Sequence, residues 1–164
     1  MKNVDVLLPC SKGHAMGGFG GSLKNIAIGC ASGNLGKKQV HGVIDYGKWV
    51  IGGLFMELMA DSGKAICDHF GRKITFLNVL RRMSVECDCA GTSAAEPVIP
   101  DLSMMASTDI LAIDQASIDM IYSFGDDRKK DLIERIESRE GLRQLSAMKE
   151  LGMGNDQYEL IAID

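Results

Sequence analysis

The amino-acid sequence predicts an α/β fold in which helices pack on a layered sheet, and two observations carry this prediction. Short apolar runs typical of buried strands occupy residues 4–8, 74–80, 102–106 and 158–163. Between them, apolar side chains recur at the three- and four-residue steps of amphipathic helices. Strands that alternate with helices are typical of layered α/β proteins. The 164 residues contain no linker, repeat or low-complexity segment, which predicts a single domain.

The individual elements follow in chain order. Pro9 ends the first strand, which leads into a glycine-rich loop, and Ser22 is expected to cap a short helix that Gly29 ends. The longest helix is predicted over residues 48–70 and stops at Gly71. Residues 30–47 and 81–100 are expected to form loops. Further helices are predicted at residues 109–124, 126–139 and 142–151.

Composition and charge exclude several classes of function. A formal net charge of −4 disfavours duplex nucleic acid and anionic membranes as partners. The beginning of the chain lacks a long apolar signal region, and Glu57 interrupts its most apolar stretch, so we expect a cytoplasmic protein. Five cysteines at scattered spacings favour thiols or metal ligands over a disulfide framework.

The glycine-rich segment is the strongest candidate site. Of 19 glycines, 12 lie between residues 13 and 53. Glycine lets backbone amides approach a ligand, and the positive end of the following helix favours an anion. We therefore predict a carboxylate or phosphate bound by Lys12, Gly17, Gly18, Gly20, Gly21 and Ser22. The segment matches neither the P-loop nor the dinucleotide fingerprint, and close packing of a strand against a helix is the alternative explanation.

Histidines and one carboxylate supply further candidates. His14 and His41 both lie in the glycine-rich third of the chain, where they are expected to bind a metal or exchange a proton. An ordinary loop position is the alternative for each. His69 is expected only to complement the end of the long helix. Asp114 is the acid predicted to face inward, where a metal or base role competes with a capping role.

The cysteines offer a second candidate metal site. Cys87 and Cys89 are two positions apart in a predicted loop, a spacing that suits one soft metal, a cluster or a redox-active pair. Cys10 and Cys30 flank the glycine-rich segment and could complete a ligand set. For Cys30 and Cys67 the alternative is a role as small buried hydrophobic side chains.

Several of these motifs together resemble one protein family. The segments at residues 12–25, 87–89, 99–102, 112–116 and 158–161 are similar to those of the domain-of-unknown-function 362 family, some of whose members are iron-sulfur proteins. The resemblance implies a shared α/β fold, a site near His14, Lys24 and the Cys87/Cys89 pair, and a metal ion or iron-sulfur cluster as candidate cofactor. It also implies that the chain corresponds to the C-terminal half of a longer member, without the Cys-x-x-Cys-x-x-Cys insert of longer relatives.

A shorter pattern is similar to the nickel-pincer lactate racemase family. The residues that fit that pattern are His14, Phe19, Gly20, Gly21 and Lys24, and His41 falls one residue from the position of a nickel ligand. This likeness implies an acid or base role for His14, a cofactor-tethering role for Lys24 and a metal-ligand role for His41.

These observations leave three functions open. One is a metal-associated or iron-sulfur-linked redox protein. Another is an isomerase-like enzyme that acts on a small carboxylic acid through His14 and Lys24. The third is a catalytically silent, shortened domain whose exposed apolar surface is covered in a homo-oligomer.

Overall fold

A three-stranded sheet with helices packed on it confirms the predicted α/β class. The computed structural model describes residues 5–7, 11–43 and 49–163, with the backbone alone at residues 5–7, 88 and 89. Strand β1 (Asp5–Leu7) runs parallel to β4 (Ile74–Leu80), and β4 runs antiparallel to β5 (Ser103–Ser107). A parallel pair needs a long crossover connection, which here contains the hairpin and three helices.

The glycine-rich segment forms a β-hairpin where the sequence predicted a loop. Strands β2 (Lys12–His14) and β3 (Gly18–Gly20) pair antiparallel. A Cβ added at Gly13 would overlap the backbone of Val85. Gly18 has a φ of +68°, and a Cβ added there would overlap the backbone of Ile136, so a side chain is excluded there too. These glycines allow close packing within the chain, as the alternative explanation required.

Six α-helices lie within the described residues. They are α1 (Ser22–Gly29), α2 (Gly36–Val40), α3 (Gly53–Phe70), α4 (Ile110–Ser123), α5 (Lys130–Ser138) and α6 (Arg143–Glu150). Helix α4 packs on β4 and β5, whereas α5 packs on the hairpin. Helix α3 contacts α1 on one side and α6 on the other. Helix α2 lies where the sequence predicted only a loop.

The core forms where these elements meet. Alternate residues of β4 point inward, and Phe76 and Leu80 are almost fully buried there against α4. Burial of each such side chain contributes about 1.5–3 kcal/mol. A second cluster around Phe55 and Met59 joins α3 to α2. This second cluster supports the segment that carries His41.

Several predicted helix boundaries are confirmed, whereas the cap predicted at Ser22 and the strand predicted at residues 158–163 are wrong. Gly71, with a φ of +58°, follows the last residue of α3, and Asp109 accepts a hydrogen bond from the Ala112 amide at the start of α4. Ser22 does not cap α1, because Gly21 occupies the cap position and the Ser22 side chain points elsewhere. Residues 158–163 form no strand. Within the described part of the chain, no helix has the length and apolarity needed to span a membrane.

Candidate functional site

His14 sits at the end of β2, and its ring closes the turn of the hairpin. The Nδ1 atom accepts a hydrogen bond from the Gly17 amide at 2.9 Å and a longer one from the Met16 amide at 3.3 Å. An imidazole nitrogen that accepts hydrogen bonds carries no proton, so the proton of neutral His14 resides on Nε2. His14 therefore offers a hydrogen-bond donor at Nε2.

The surroundings of His14 keep its ring neutral. Burial is the main cause that lowers its pKa to about 4, and the charges of Lys24, His41 and Arg135 lower it further. Because that pKa is well below neutrality, the ring is uncharged at physiological pH. A neutral imidazole among positive groups donates to an oxygen without carrying a full charge itself. Arg135, which is ion-paired with Glu86 at 2.9 Å, was not expected from the sequence.

His41 has the opposite arrangement of ring nitrogens. It follows the last residue of α2, and its Nδ1 lies 2.6 Å from the Lys37 carbonyl oxygen. Because a carbonyl only accepts, Nδ1 carries the proton, and Nε2 of the neutral ring has a lone pair. Trp49 and Phe55 hold the ring, with centroids 4.3 and 5.2 Å away. His41 therefore keeps a nitrogen that can accept a proton or bind a metal.

Asp114 lies at the N-terminus of α1, where the sequence predicted an external anion. One carboxylate oxygen accepts from the Ser22 amide at 2.7 Å, and the other accepts from the Leu23 amide at 2.9 Å. A Cβ at Gly21 would overlap this carboxylate. Gly21 and Ser22 thus contact the Asp114 carboxylate of the chain itself. This carboxylate occupies the position where the sequence predicted the anionic group of a ligand.

A buried polar network holds that carboxylate. Asn78 on β4 donates from Nδ2 to Asp114 at 2.8 Å and to Ser117 at 2.9 Å, while the Ser22 hydroxyl donates to Asn78 Oδ1 at 2.8 Å. Burial raises the pKa of Asp114, and the hydrogen bonds from Leu23, Asn78 and Ser22 oppose that shift. Asp114 therefore has the capping role that the sequence allowed, and it serves a helix in another part of the chain.

The other predicted residues of the hairpin lie at different depths. Gly17, Gly18 and Gly20 are buried, and the carbonyl of Gly17 accepts a hydrogen bond from the Gln144 side chain at 2.7 Å. Lys12 and Lys24 are partly exposed. Since the backbone of these glycines serves internal contacts, the two lysines are the better candidates to meet a ligand.

The cysteines do not assemble a metal site among the described residues. Cys87 is disulfide-bonded, and the side chain of Cys89 and all of Cys10 lie outside the described residues. Cys30 and Cys67 are free thiols, and burial raises the pKa of Cys67 to about 11. Cys30 is exposed, so its alternative role as a buried hydrophobic side chain is wrong. No three His, Cys, Asp or Glu side chains within residues 11–43 and 49–163 are grouped to hold a metal ion.

Comparison with known proteins identifies a family for most of the chain. Residues 2–119 match the family described as "Domain of unknown function (DUF362)". The match contains every predicted site residue and ends within α4, so the resemblance at residues 158–161 lies outside it. No curated protein and no solved structure matches the chain, and the likeness to lactate racemases gains no support. Because the match covers well over half of the 164 residues, the chain belongs to the DUF362 family.

Proposed function

We propose that this chain binds a small carboxylic acid beside His14 and Lys24 and acts on it as an isomerase-like enzyme. One observation carries the proposal: the Gly17 amide fixes a neutral His14 with its proton on Nε2. A carboxylate or carbonyl oxygen can accept that proton in a hydrogen bond, and Lys24 supplies the positive charge that a carboxylic acid needs. This arrangement favours binding and polarisation of the ligand's oxygen. Because Nδ1 of His14 already accepts hydrogen bonds and Nε2 carries the proton, we do not assign His14 as the base.

His41 is the group we assign to proton transfer. A polarised carboxyl or carbonyl group acidifies the carbon next to it, and the lone pair on His41 Nε2 can accept the proton released from that carbon. A proton that His41 has exchanged with water then returns to the opposite face of that carbon or to a neighbouring atom, so the isomerisation involves no net change in atoms or electrons. His14 stabilises the oxygen during this exchange, while Lys24 balances the negative charge.

Binding can be tested by calorimetry with acetate, lactate and succinate. We expect Lys24→Ala to weaken binding of at least one acid about tenfold or more, since a hydrogen bond to a charged group is involved. Lys38→Ala is the matched control, because Lys38 is an exposed lysine on α2. Equal affinities in the parent, Lys24→Ala and Lys38→Ala would refute the proposed site.

Catalysis can be tested without knowledge of the product. In D2O, abstraction and return of a proton labels the substrate carbon with deuterium, which proton NMR detects. We expect labelling by the parent, none by His41→Gln, and unchanged labelling by His69→Gln, which alters an exposed histidine at the end of α3. Binding of an acid with no labelling by the parent would leave a binding protein and reject the enzyme.

One further part of the proposal concerns the chain as a whole. We propose that it forms a homo-oligomer, because apolar side chains near residue 160 are exposed: Leu160 by 58% and Ile163 by 93%. The disulfide at Cys87 leaves no thiolate there for an iron-sulfur cluster, which favours the isomerase-like enzyme over the iron-sulfur alternative.

A further inference from the structure

A cleft lined in part by charged side chains lies where β4 ends, and no part of the proposed enzyme function uses it. It has a volume of about 630 Å³, within the range of sites for small molecules. One wall is the end of β4 with the bend that follows, and the other is the segment at residues 94–97. The charged residues that line the cleft are Lys12, Arg81, Arg82 and Glu96.

The charge of this cleft is opposite to that of the molecule. Three cationic side chains and one carboxylate line it, whereas the chain as a whole has a net charge of −4. Such a local excess of positive charge in a concave surface concentrates anions. Arginine adds a planar guanidinium group, whose N–H groups match the oxygens of phosphates and carboxylates in pairs.

The backbone of Arg82 adopts a conformation that is unfavourable for any residue with a side chain. Its φ of +48° lies in the left-handed region, which residues other than glycine rarely adopt. Asp101 holds this bend, since its carboxylate accepts from the Arg82 amide at 3.0 Å and from Arg81 Nε at 2.7 Å. A strained residue that the surroundings hold in place is a feature typical of functional sites.

The guanidinium of Arg82 makes no hydrogen bond or ion pair with any residue in the part of the chain that the structure describes. It is exposed and lines the cleft. Arg81, by contrast, is already paired with Asp101. Asp101 thus positions the backbone of Arg82 and leaves the Arg82 guanidinium available to an external anion.

The opposite wall is attached to the same strand end. Met83 and Ile99 form an isolated antiparallel bridge, and the Val98 amide donates to the Met83 carbonyl at 3.3 Å. The Gly13 amide donates to the Ser84 carbonyl at 2.9 Å, which attaches the hairpin. Both walls therefore meet at residues 83–84, so the cleft is formed before a ligand arrives.

We propose that this cleft binds a small molecule that carries a phosphate group or two carboxylates, with Arg82 as the principal hydrogen-bond donor. The guanidinium of Arg82 donates two N–H groups to two oxygens of the ligand. The cleft and the proposed enzyme site share none of these residues. The inference therefore does not depend on the proposed function.

The experiment is calorimetric titration of the full chain with glucose 6-phosphate, inorganic phosphate and succinate, with glucose as the uncharged control. We expect a charged probe to bind and glucose not to bind. Arg82→Gln should weaken the binding about tenfold or more, and added salt should weaken it as well. The matched control is Arg139→Gln, which removes one exposed arginine at the end of α5. Comparison of the phosphates with succinate identifies the preferred anion.

Three outcomes would overturn the proposal. The first is the absence of binding by all three charged probes. The second is equal weakening by Arg82→Gln and Arg139→Gln, which would indicate a general effect of net charge. The third is loss of binding in Lys24→Ala with none in Arg82→Gln, which would assign the anion to the site beside His14. Because Arg82 is exposed and its guanidinium makes no contact that holds the fold, Arg82→Gln is expected to fold.

Discussion

His14 and His41 differ in which ring nitrogen carries the proton, and this difference separates their roles. The Gly17 amide donates to His14 Nδ1, and His41 Nδ1 donates to the Lys37 carbonyl. Spacing along the chain cannot predict these hydrogen bonds, because each depends on the turn that surrounds the ring. The acid–base role expected for His14 therefore moves, in our proposal, to His41.

The buried, neutral His14 should make stability depend on pH. Its pKa is about 4 in the folded chain and near 6.5 in the unfolded one, so the unfolded state binds more protons between these values. The stabilisation is complete above about pH 6.5, and roughly 2–3 kcal/mol is lost as the pH falls to 4. Urea denaturation at pH 7.5 and 4.5 measures the loss.

Two histidine variants isolate this contribution from the carboxylates that also titrate. The difference between the two pH values should shrink in His14→Gln, whose side-chain oxygen can still accept from the Gly17 amide. It should persist in His69→Gln, because His69 is exposed. An unchanged pH dependence in His14→Gln would contradict the pKa shift assigned to His14.

At position 82, glycine should give a more stable protein than alanine, which is the opposite of the order expected at an ordinary position. Because its φ is +48°, Arg82→Gly relieves strain, and we expect it to be more stable than Arg82→Ala by roughly 0.5–1 kcal/mol. Thermal denaturation of both variants gives the difference. At Arg139, whose φ is −102°, glycine should be less stable than alanine. The same order at both positions would show that Arg82 is not strained.

At the scale of elements, Asp114 on α4 stabilises the start of α1. Asp114→Ala leaves the Ser22 and Leu23 amides and the Asn78 side chain without their acceptor, so we expect a loss of about 2–4 kcal/mol. Asp61→Ala changes an exposed carboxylate on α3 and should cost less than about 0.5 kcal/mol. Chemical denaturation compares them, and similar losses in both variants would rule out the capping role.

Elements whose boundaries depend on neighbouring residues could be predicted, whereas those that depend on distant contacts could not. The periodicity that ends at Gly71 predicted α3, and the periodicity of residues 109–124 predicted α4. Asp114 caps α1 across 92 positions of sequence, which no local pattern can show. Residues 158–163 have the composition of a strand, but a strand also needs a partner, and none pairs with them in the described sheets.

The candidate site residues also divide into those that a local sequence pattern can indicate and those that depend on contacts between distant parts of the chain. The hairpin that carries His14 and the nearby Lys24 stood out because glycines and charges cluster there, and their roles as site residues stay predictions. Arg81 and Arg82 directly follow the predicted strand at residues 74–80, yet nothing in their spacing distinguishes them from a solvated pair. Their importance depends on the bend held by Asp101 and on the wall at residues 94–97, which only the folded chain brings together.

At the scale of the whole molecule, exposed apolar surface near the end of the described chain predicts self-association. Tyr158 donates to Asp119 at 2.8 Å, and beyond it Leu160 and Ile163 are exposed. We expect light scattering at micromolar concentration to give a mass above one chain, because burial of such side chains in an oligomer gains about 25 cal/mol per Å². Replacing Leu160 and Ile163 together by lysine should return the mass to that of a monomer, whereas Glu159→Lys, a change of charge on an exposed neighbour, should not. A monomeric parent would refute the homo-oligomer, and an oligomer that persists in the double variant would place the interface elsewhere.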